Sequence, residues 1–286
     1  MPIAGLNIIG ESLNDSVPST QEYYTSEDWD GICELAQFQE SHGAKYIDVN
    51  VGSRDAHMMS KVVDLVQKSV KIPLSIDSPD LDLARAGLQA YSGEFGKPIL
   101  NSISPLRTEM FELYKIRPFR PILLISEYIN EEKEEGPART AKETFTAAWD
   151  LFSRAKYYNI PNDDMIFDPG IAPIGSDFEN NLARLLEAMQ MIRDCEEMKG
   201  VHFSVGLSNF TVMLPPKTKS GSTVKSPLES AFLTLAMPLG LDYIVGSVKR
   251  KYEILAEDHP ALCCIKDCLR LGGFESISRI REFYTS

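Results

Sequence analysis

The sequence repeats one pattern along its length: a short run rich in β-branched residues, ending in polar residues or glycine, and then a longer stretch with helical periodicity. Eight such units occur, with predicted strands at Asn7–Gly10, Tyr46–Val49, Pro73–Asp77, Pro98–Ser102, Pro121–Ser126, Met165–Asp168, His202–Gly206 and Asp242–Val245. Open doubly wound sheets usually have fewer strands and a GxGxxG fingerprint, which this sequence lacks. The pattern therefore predicts a closed parallel (β/α)8 barrel.

Helix signals lie between the predicted strands. Ser26 is predicted to be an N-cap, with Glu27 and Asp28 in the first turn, and Gly43 is predicted to end that helix in a left-handed conformation. The apolar spacing of Asp55–Val70 predicts the next helix.

Further along, the acidic segment Glu131–Glu135 is predicted to be a solvated loop that leads through Gly136 and Pro137 into a helix from about Ala138 to Tyr158. No linker composition divides the sequence, so residues 1–286 are expected to form one domain.

The composition excludes several classes of partner. The 286 residues are 43% apolar, with a formal charge of -12 and a pI of about 4.9. Nucleic acids and anionic lipid surfaces bind clustered Lys and Arg, so neither is expected here. We see no secretory signal and no apolar stretch long enough to cross a bilayer, and we expect a cytoplasmic protein.

Five cysteines without a secretory signal are typical of reduced thiols. The tightest group is Cys263, Cys264 and Cys268, of which the last two share a helical face. No second Cys or His pair completes a zinc-type set, so we expect packing residues and no bound metal.

Polar residues gather at the predicted C-terminal ends of the strands, where β/α barrels carry their active sites. They are Glu11, Asn14, Asp48, Asn50, Asp77, Asn101, Asp168, Ser208 and Asn209. A helix cap or a turn explains any one of them equally well. Their recurrence after strands three, four, six and seven favours a shared ligand that is rich in hydrogen-bond donors, and the absence of Lys and Arg from the group disfavours phosphate.

A pterin fits this description, because its 2-amino-4-oxo pyrimidine edge presents N–H donors that carboxylates accept in charge-assisted pairs. Asn101 can both donate and accept along such an edge. Gly206, close to Asn209, would allow the backbone to approach the ligand.

At these positions the sequence resembles the pterin-binding methyltransferases, in particular the methyltetrahydrofolate:corrinoid methyltransferases and their relatives that act in the opposite direction. Ile8–Asn14 resembles the opening "IGERIN" strand, with Ser12-Leu13 replacing the basic-aliphatic pair, and Asp48–Gly52 resembles the "D-x-N-x-G" element. The later "DS", "INS", "DP" and "GLSN" motifs are matched by Ser75–Ser78, Leu100–Ser102, Phe167–Pro169 and Gly206–Asn209.

The resemblance implies a dihydropteroate-synthase-like TIM barrel that moves a methyl group between N5 of tetrahydrofolate and the cobalt of a corrinoid. Tetrahydrofolate or 5-methyltetrahydrofolate would be a substrate, and we favour transfer from the methylcorrinoid to tetrahydrofolate. The chain has no Asp-x-His-x-x-Gly cobalamin-binding segment, so the corrinoid would be carried by a partner protein. The resemblance also implies a homodimer.

Matching positions then receive roles. Asp77, Asn101 and Asp168 would anchor the pterin ring, and Asn209 would be the catalytic amide at N5 and its methyl group. Gly206 and Ser208 would complete the pterin site. Asp48 and Asn50 would line the floor of the site or brace the barrel internally. Further lining residues would be Glu11 and Asn14.

Two segments depart from the family pattern. Met213–Ser226 carries two prolines and three lysines and is expected to be a lengthened loop. The basic segment Gly246–Lys251 would contact the folate tail or the partner, or would start a solvated helix.

Two alternative functions stay open. One is a dihydropteroate synthase, which needs a basic cluster near strands seven and eight, where Ser204–Gly206 stands instead. The other is a non-catalytic folate-binding module.

Overall fold

A computed structural model describes residues 3–130 and 132–285 of the protein, and its main feature is an eight-stranded parallel sheet. The described residues form ten strands: β1 Asn7–Asn14, β2 Tyr46–Asn50, β3 Leu74–Asp77, β4 Ile99–Ile103, β5 Arg120–Leu124, β6 Glu127–Ile129, β7 Glu135–Pro137, β8 Ile166–Asp168, β9 His202–Phe203 and β10 Tyr243–Gly246. The sheet order is β10-β1-β2-β3-β4-β5-β8-β9, while β6 and β7 form a separate antiparallel hairpin.

The sheet closes on itself between β9 and β10. Bridges join Phe203 to Leu241 and Gly206 to Val245, and the Val245 N–H donates to the Val205 carbonyl at 2.9 Å. The predicted (β/α)8 barrel is therefore confirmed. The predicted strand His202–Gly206 is shorter than expected, because beyond Phe203 the pairing continues only through isolated bridges.

Ten α-helices are described outside the sheet. They are α1 Pro18–Ser26, α2 Trp29–Ser41, α3 Ala56–Ser69, α4 Leu81–Ala90, α5 Ala141–Tyr157, α6 Asn181–Arg193, α7 Leu207–Phe210, α8 Lys225–Ala236, α9 Pro260–Leu271 and α10 Gly273–Thr285. After β4 a 3-10 helix, Thr108–Lys115, takes the place of a regular α-helix. Asp55 caps α3 by accepting from the Met58 N–H at 2.9 Å. Gly43 has the predicted left-handed conformation, with a φ of 97°.

The predicted Ser26 cap is wrong. Pro18–Ser26 forms the separate helix α1, and the Ser26 hydroxyl donates to the Glu22 carbonyl at 2.7 Å inside it. Asp28 caps α2 instead, accepting from the Gly31 N–H at 2.9 Å. Proline suits the first turn of α1, where no N–H is needed, and that early start puts Ser26 at the end of a helix.

The helix expected from Ala138 begins at Ala141 because Thr140 and Glu143 form a capping box. The Thr140 hydroxyl accepts from the Glu143 N–H at 3.1 Å, and the Glu143 carboxylate accepts from the Thr140 N–H at 3.1 Å. Part of the predicted loop Glu131–Glu135 belongs to the β6–β7 hairpin, since β7 starts at Glu135; Glu131 lies outside the described residues.

The N-terminal half of the barrel interior is filled. Buried side chains from five of the strands form one cluster there: Ile9, Ile99, Ile122, Ile166 and Tyr243. Below them the Arg120 guanidinium donates to the hydroxyls of Tyr243 and Tyr46. These side chains therefore plug this end of the barrel.

Cys264 and Cys268 are buried between α9 and α10, with their thiols against the carbonyls of Arg279 and Ser276 at 3.7 and 3.5 Å. Within the described ranges, no cluster of three or more His, Cys, Asp or Glu residues is arranged to hold a metal ion. Nor does any helix in those ranges have the length and apolar character that a membrane span requires.

Candidate active site

A cavity of about 750 Å³ opens at the C-terminal ends of the barrel strands. Its wall includes these residues selected from the sequence: Glu11, Asn14, Asp48, Asp77, Asn101, Asp168, Gly206, Ser208 and Asn209. Asn50 is not part of this wall, and its Nδ2 donates to Asp77 Oδ2 at 2.8 Å. The closed barrel therefore brings together polar residues spread over about two hundred positions of sequence.

Sheet register explains why these side chains meet. Asp77 ends β3 and pairs with Asn101 on β4, while Asp168 ends β8 beside Leu124 of β5. Paired residues on neighbouring parallel strands point to the same face of the sheet. Their side chains consequently converge on the cavity from adjacent strands.

Asp48 and Asp77 form a buried acidic pair. Asp48 is 1% exposed, and its Oδ1 has no hydrogen-bond partner among the described residues. Burial, and then the neighbouring Asp77, raise the pKa of Asp48 well above its ordinary value. Burial also raises the pKa of Asp77, but the hydrogen bond from Asn50 opposes that rise. Burial thus favours the protonated form of both carboxyls, and it does so more strongly for Asp48 than for Asp77.

Asp168 is another acid of the cavity wall. Burial raises its pKa to about 7, against the opposing effects of the Gly170 N–H and the Arg184 guanidinium. The Gly170 N–H donates to Asp168 Oδ1 at 2.8 Å. Gly170 has a φ of 67°, and a Cβ there would lie 2.5 Å from the Ser126 Cβ, so glycine is required for the turn that presents this N–H.

Asn209 reaches the cavity from the short helix α7, which follows β9. A Cβ added at Gly206 would lie 2.8 Å from Asn209 Nδ2. Gly206 has a φ of -73°, which any residue adopts, so glycine here provides space and not an unusual backbone conformation. That space is occupied by the carboxamide of Asn209.

Glu11 of β1 and Ser208 of α7 contact each other near the place where the sheet closes between β9 and β10. The pairing of β1 with β2 shifts between Gly10 and Leu13, and Glu11 lies in this irregular stretch. The Ser208 hydroxyl donates to the Glu11 carboxylate, and burial raises the pKa of Glu11. Nearby, Asn14 Oδ1 accepts from the N–H and the hydroxyl of Ser16, at 2.9 and 2.6 Å.

The basic segment after β10 divides its cations between two environments. Lys249 lines the cavity, so the wall contains a cation that the list of strand-end residues lacked. Arg250 forms an ion pair with the fully buried Glu229 of α8 and donates to the Thr211 hydroxyl at 3.2 Å. The alternative that Gly246–Lys251 starts a helix is wrong, because α9 begins only at Pro260.

The expected long loop Met213–Ser226 spans the gap between α7 and α8, apart from the first residues of α8. A bridge between Lys217 and Thr223 folds it back on itself, and Lys225 Nζ donates to the Val212 carbonyl at 3.3 Å. Arg184 of α6 is a polar residue near the site that the sequence did not reveal, because it lies inside a helix without a motif.

Together these groups form a set that can accept hydrogen bonds from a flat ligand rich in N–H donors. The sequence profile of the family described as "Pterin binding enzyme" matches residues 10–245. The chain belongs to this family of pterin-binding enzymes. The family recognised from the sequence motifs is thereby confirmed.

One curated relative of this pterin-binding enzyme is the methylcorrinoid:tetrahydrofolate methyltransferase of Eubacterium limosum, which is 26% identical over 243 residues, covering 83% of each chain. Among solved structures, a Yersinia pestis dihydropteroate synthase with a sulfonamide drug aligns with a TM-score of 0.58 at 14% identity, covering 93% of this chain and 95% of its own. The 7,8-dihydropteroate synthase of Vibrio fischeri gives 0.57 at 11% identity, covering 97% and 92%. These structural matches show the fold alone.

Proposed function

We propose that this pterin-binding enzyme transfers a methyl group between N5 of tetrahydrofolate and the cobalt of a corrinoid that a separate protein carries. The observation that carries the proposal is the convergence of Asp77, Asn101, Asp168 and Asn209 on one cavity. We favour transfer from the methylcorrinoid to tetrahydrofolate, because the curated relative bears that name.

The charge distribution of the cavity supports a pterin substrate. Asp77, which also accepts from Asn50, accepts from the N–H groups of the pyrimidine edge, and Asn101 beside it provides both a donor and an acceptor. Asp168 provides the second carboxylate. The cavity volume of about 750 Å³ lies within the usual range for small-molecule sites, roughly 300–1,000 Å³.

In the favoured direction, the N5 lone pair attacks the methyl carbon, so that the N5–C bond forms while the cobalt–carbon bond breaks. The bonding electron pair stays on cobalt, and the N5 proton leaves to water. The anchors hold N5 in line with the methyl group, so that the reacting atoms meet in the geometry that the displacement requires. The Asn209 amide stabilises the charge that changes at N5, and it does the same in the reverse reaction.

The test is to incubate the protein with methylcobalamin and tetrahydrofolate and to follow the cobalt absorption spectrum. We expect loss of the methylcobalt spectrum together with formation of 5-methyltetrahydrofolate. Asn209→Ala should slow the transfer more than it weakens tetrahydrofolate binding, and Asn130→Ala, in the β6–β7 turn outside the cavity, should change neither.

Two other outcomes would replace the proposal. Formation of dihydropteroate from a pterin diphosphate and p-aminobenzoate would identify a dihydropteroate synthase. Tetrahydrofolate binding without either reaction would identify a binding module.

We further propose that residues 1–286 form one pterin-binding domain. The family match over residues 10–245 supports this, as does the direct pairing of β1 with β10, which ties the start of the chain to its later part. The homodimer, the corrinoid partner and the cytoplasmic location stay predictions.

A further inference from the structure

Arg184 is a buried cation directly behind the cavity wall. It lies on α6, is 7% exposed, and does not line the main cavity. Its Nη2 donates to the carbonyls of Pro169 and Gly170 at 2.9 and 3.1 Å, and its Nη1 donates to the Thr144 hydroxyl on α5 at 2.9 Å. One guanidinium therefore fixes the turn after β8 to two helices.

Gly170 links this guanidinium to the cavity. Its carbonyl accepts from Arg184, and its N–H donates to Asp168 Oδ1 at 2.8 Å. The Pro169 carbonyl, which also accepts from Arg184, and the Gly170 N–H belong to one peptide unit, so a movement of Arg184 would be passed through that unit to the carboxylate on the cavity wall. The fork of a guanidinium suits this task, because it can serve two carbonyls and a hydroxyl at once.

The charges around Asp168 single out the same residue. Arg184 is the cation that stabilises the Asp168 carboxylate, while Asp177, before α6, is the anion that faces Arg184. Across the cavity lie Glu11, Asp48, Asp77 and Lys249. Of these charged groups, Arg184 is the one that lowers the pKa of Asp168.

We propose that Arg184 is a positioning residue that holds Asp168 in the orientation and charge state required by the donor edge of the ligand, without touching the ligand itself. This inference rests on the proposed role of Asp168 in pterin binding. A residue that only joined α5, α6 and the turn would affect folding but not the ionisation of Asp168.

Two substitutions separate charge from geometry. Arg184→Gln removes the charge and keeps a hydrogen-bond donor, whereas Arg184→Lys keeps the charge but lacks the fork that serves both carbonyls. Arg193→Gln is the matched control, because Arg193 ends the same helix, is exposed, and donates to the Pro238 carbonyl at 2.6 Å.

The first measurement is a pH titration of ligand-free protein with 13C-labelled aspartate carboxyls, in which the Asp168 signal is identified by its loss in Asp168→Asn. We expect Arg184→Gln to move the Asp168 midpoint to higher pH, because loss of a cation disfavours the carboxylate. Arg184→Lys should leave the midpoint near that of the wild type, and Arg193→Gln should not change it.

The second measurement is tetrahydrofolate affinity by calorimetry from about pH 6 to pH 9. Arg184→Gln should weaken binding on the order of tenfold near neutral pH, with partial recovery at higher pH, since each pKa unit corresponds to a factor of ten. Arg184→Lys should weaken binding at every pH, because the turn is no longer held at both carbonyls.

If the titration midpoint of Asp168 does not change in Arg184→Gln, the proposal that Arg184 sets the charge state of Asp168 is overturned. If that variant does not fold, Arg184→Lys decides the matter, since wild-type affinity in Arg184→Lys would overturn the positioning role. The titration needs no ligand, so it still reports on Arg184 if the wild-type protein fails to bind tetrahydrofolate, and that failure would count against the proposed function alone.

Discussion

Replacing Asp168 with Asn should stabilise the folded protein at alkaline pH while it weakens ligand binding. Burial raises the pKa of Asp168 from 3.8 to about 7. At roughly 1.4 kcal/mol per pKa unit, ionised Asp168 costs the folded state at most about 4 kcal/mol. Asn has nearly the same shape, carries no charge, and still offers an oxygen to the Gly170 N–H.

The sign of the effect follows from proton binding. Below pH 3.8 Asp168 is protonated in both the folded and the unfolded chain, and its contribution to stability is fully present. Between about pH 4 and pH 7 the unfolded chain releases this proton first, so the free energy of unfolding decreases as the pH rises. Above about pH 7 the loss is complete. The stability advantage of Asp168→Asn should therefore be small near pH 4 and reach a plateau above pH 7.

Urea unfolding followed by circular dichroism, at about pH 5, 6, 7 and 8, measures this difference directly. Asp258→Asn makes the same chemical change at an exposed side chain and serves as the control. Calorimetry should show that tetrahydrofolate affinity falls by about one to two orders of magnitude, since a hydrogen bond to a charged group is worth about 1.5–3 kcal/mol. An Asp168→Asn stability difference that does not grow with pH would refute the reasoning.

Three further predictions concern other parts of the structure. Asp77→Ala should reduce tetrahydrofolate binding by about a hundredfold or more, because it removes the carboxyl that anchors the ligand; calorimetry with unaltered affinity would defeat that assignment. Gly206→Ala should lower the rate of methyl transfer and leave the folate Kd within about threefold, because the added methyl displaces the Asn209 amide; a wild-type rate in stopped-flow measurements would contradict this. Thr140→Ala should cost about 1 kcal/mol through loss of the α5 capping box, seen as a lower Tm with unchanged transfer activity.

Much of the fold could be predicted from the sequence, because the strands of the barrel are short, rich in β-branched residues and followed by polar residues or glycine. The same rule failed where two local signals compete. Ser26 and Asp28 are both good caps, and only the tertiary structure shows that α1 occupies the first of them. The hairpin β6–β7 was also missed, since its strands have three residues each and show little alternation.

The candidate site was accessible for a different reason. A closed barrel puts the C-terminal ends of all its strands at one face, so residues such as Asp77 and Asp168 need no neighbouring motif to be brought together. Arg184 had no such signal, because its partners are backbone carbonyls that any sequence provides. The different environments of Lys249 and Arg250 likewise depend on where Glu229 is buried.

The plug formed by Arg120, Tyr46 and Tyr243 closes the N-terminal end of the barrel, so among the described residues the cavity opens at the C-terminal ends of the strands. A carrier protein that delivers its methyl group through this opening would also block it. Small substrate must then load before the carrier arrives, and product must wait until the carrier departs. The geometry of the barrel thus imposes an order of events on any two-protein reaction, and kinetics should show tetrahydrofolate as the first substrate to bind and its methylated form as the last product to leave.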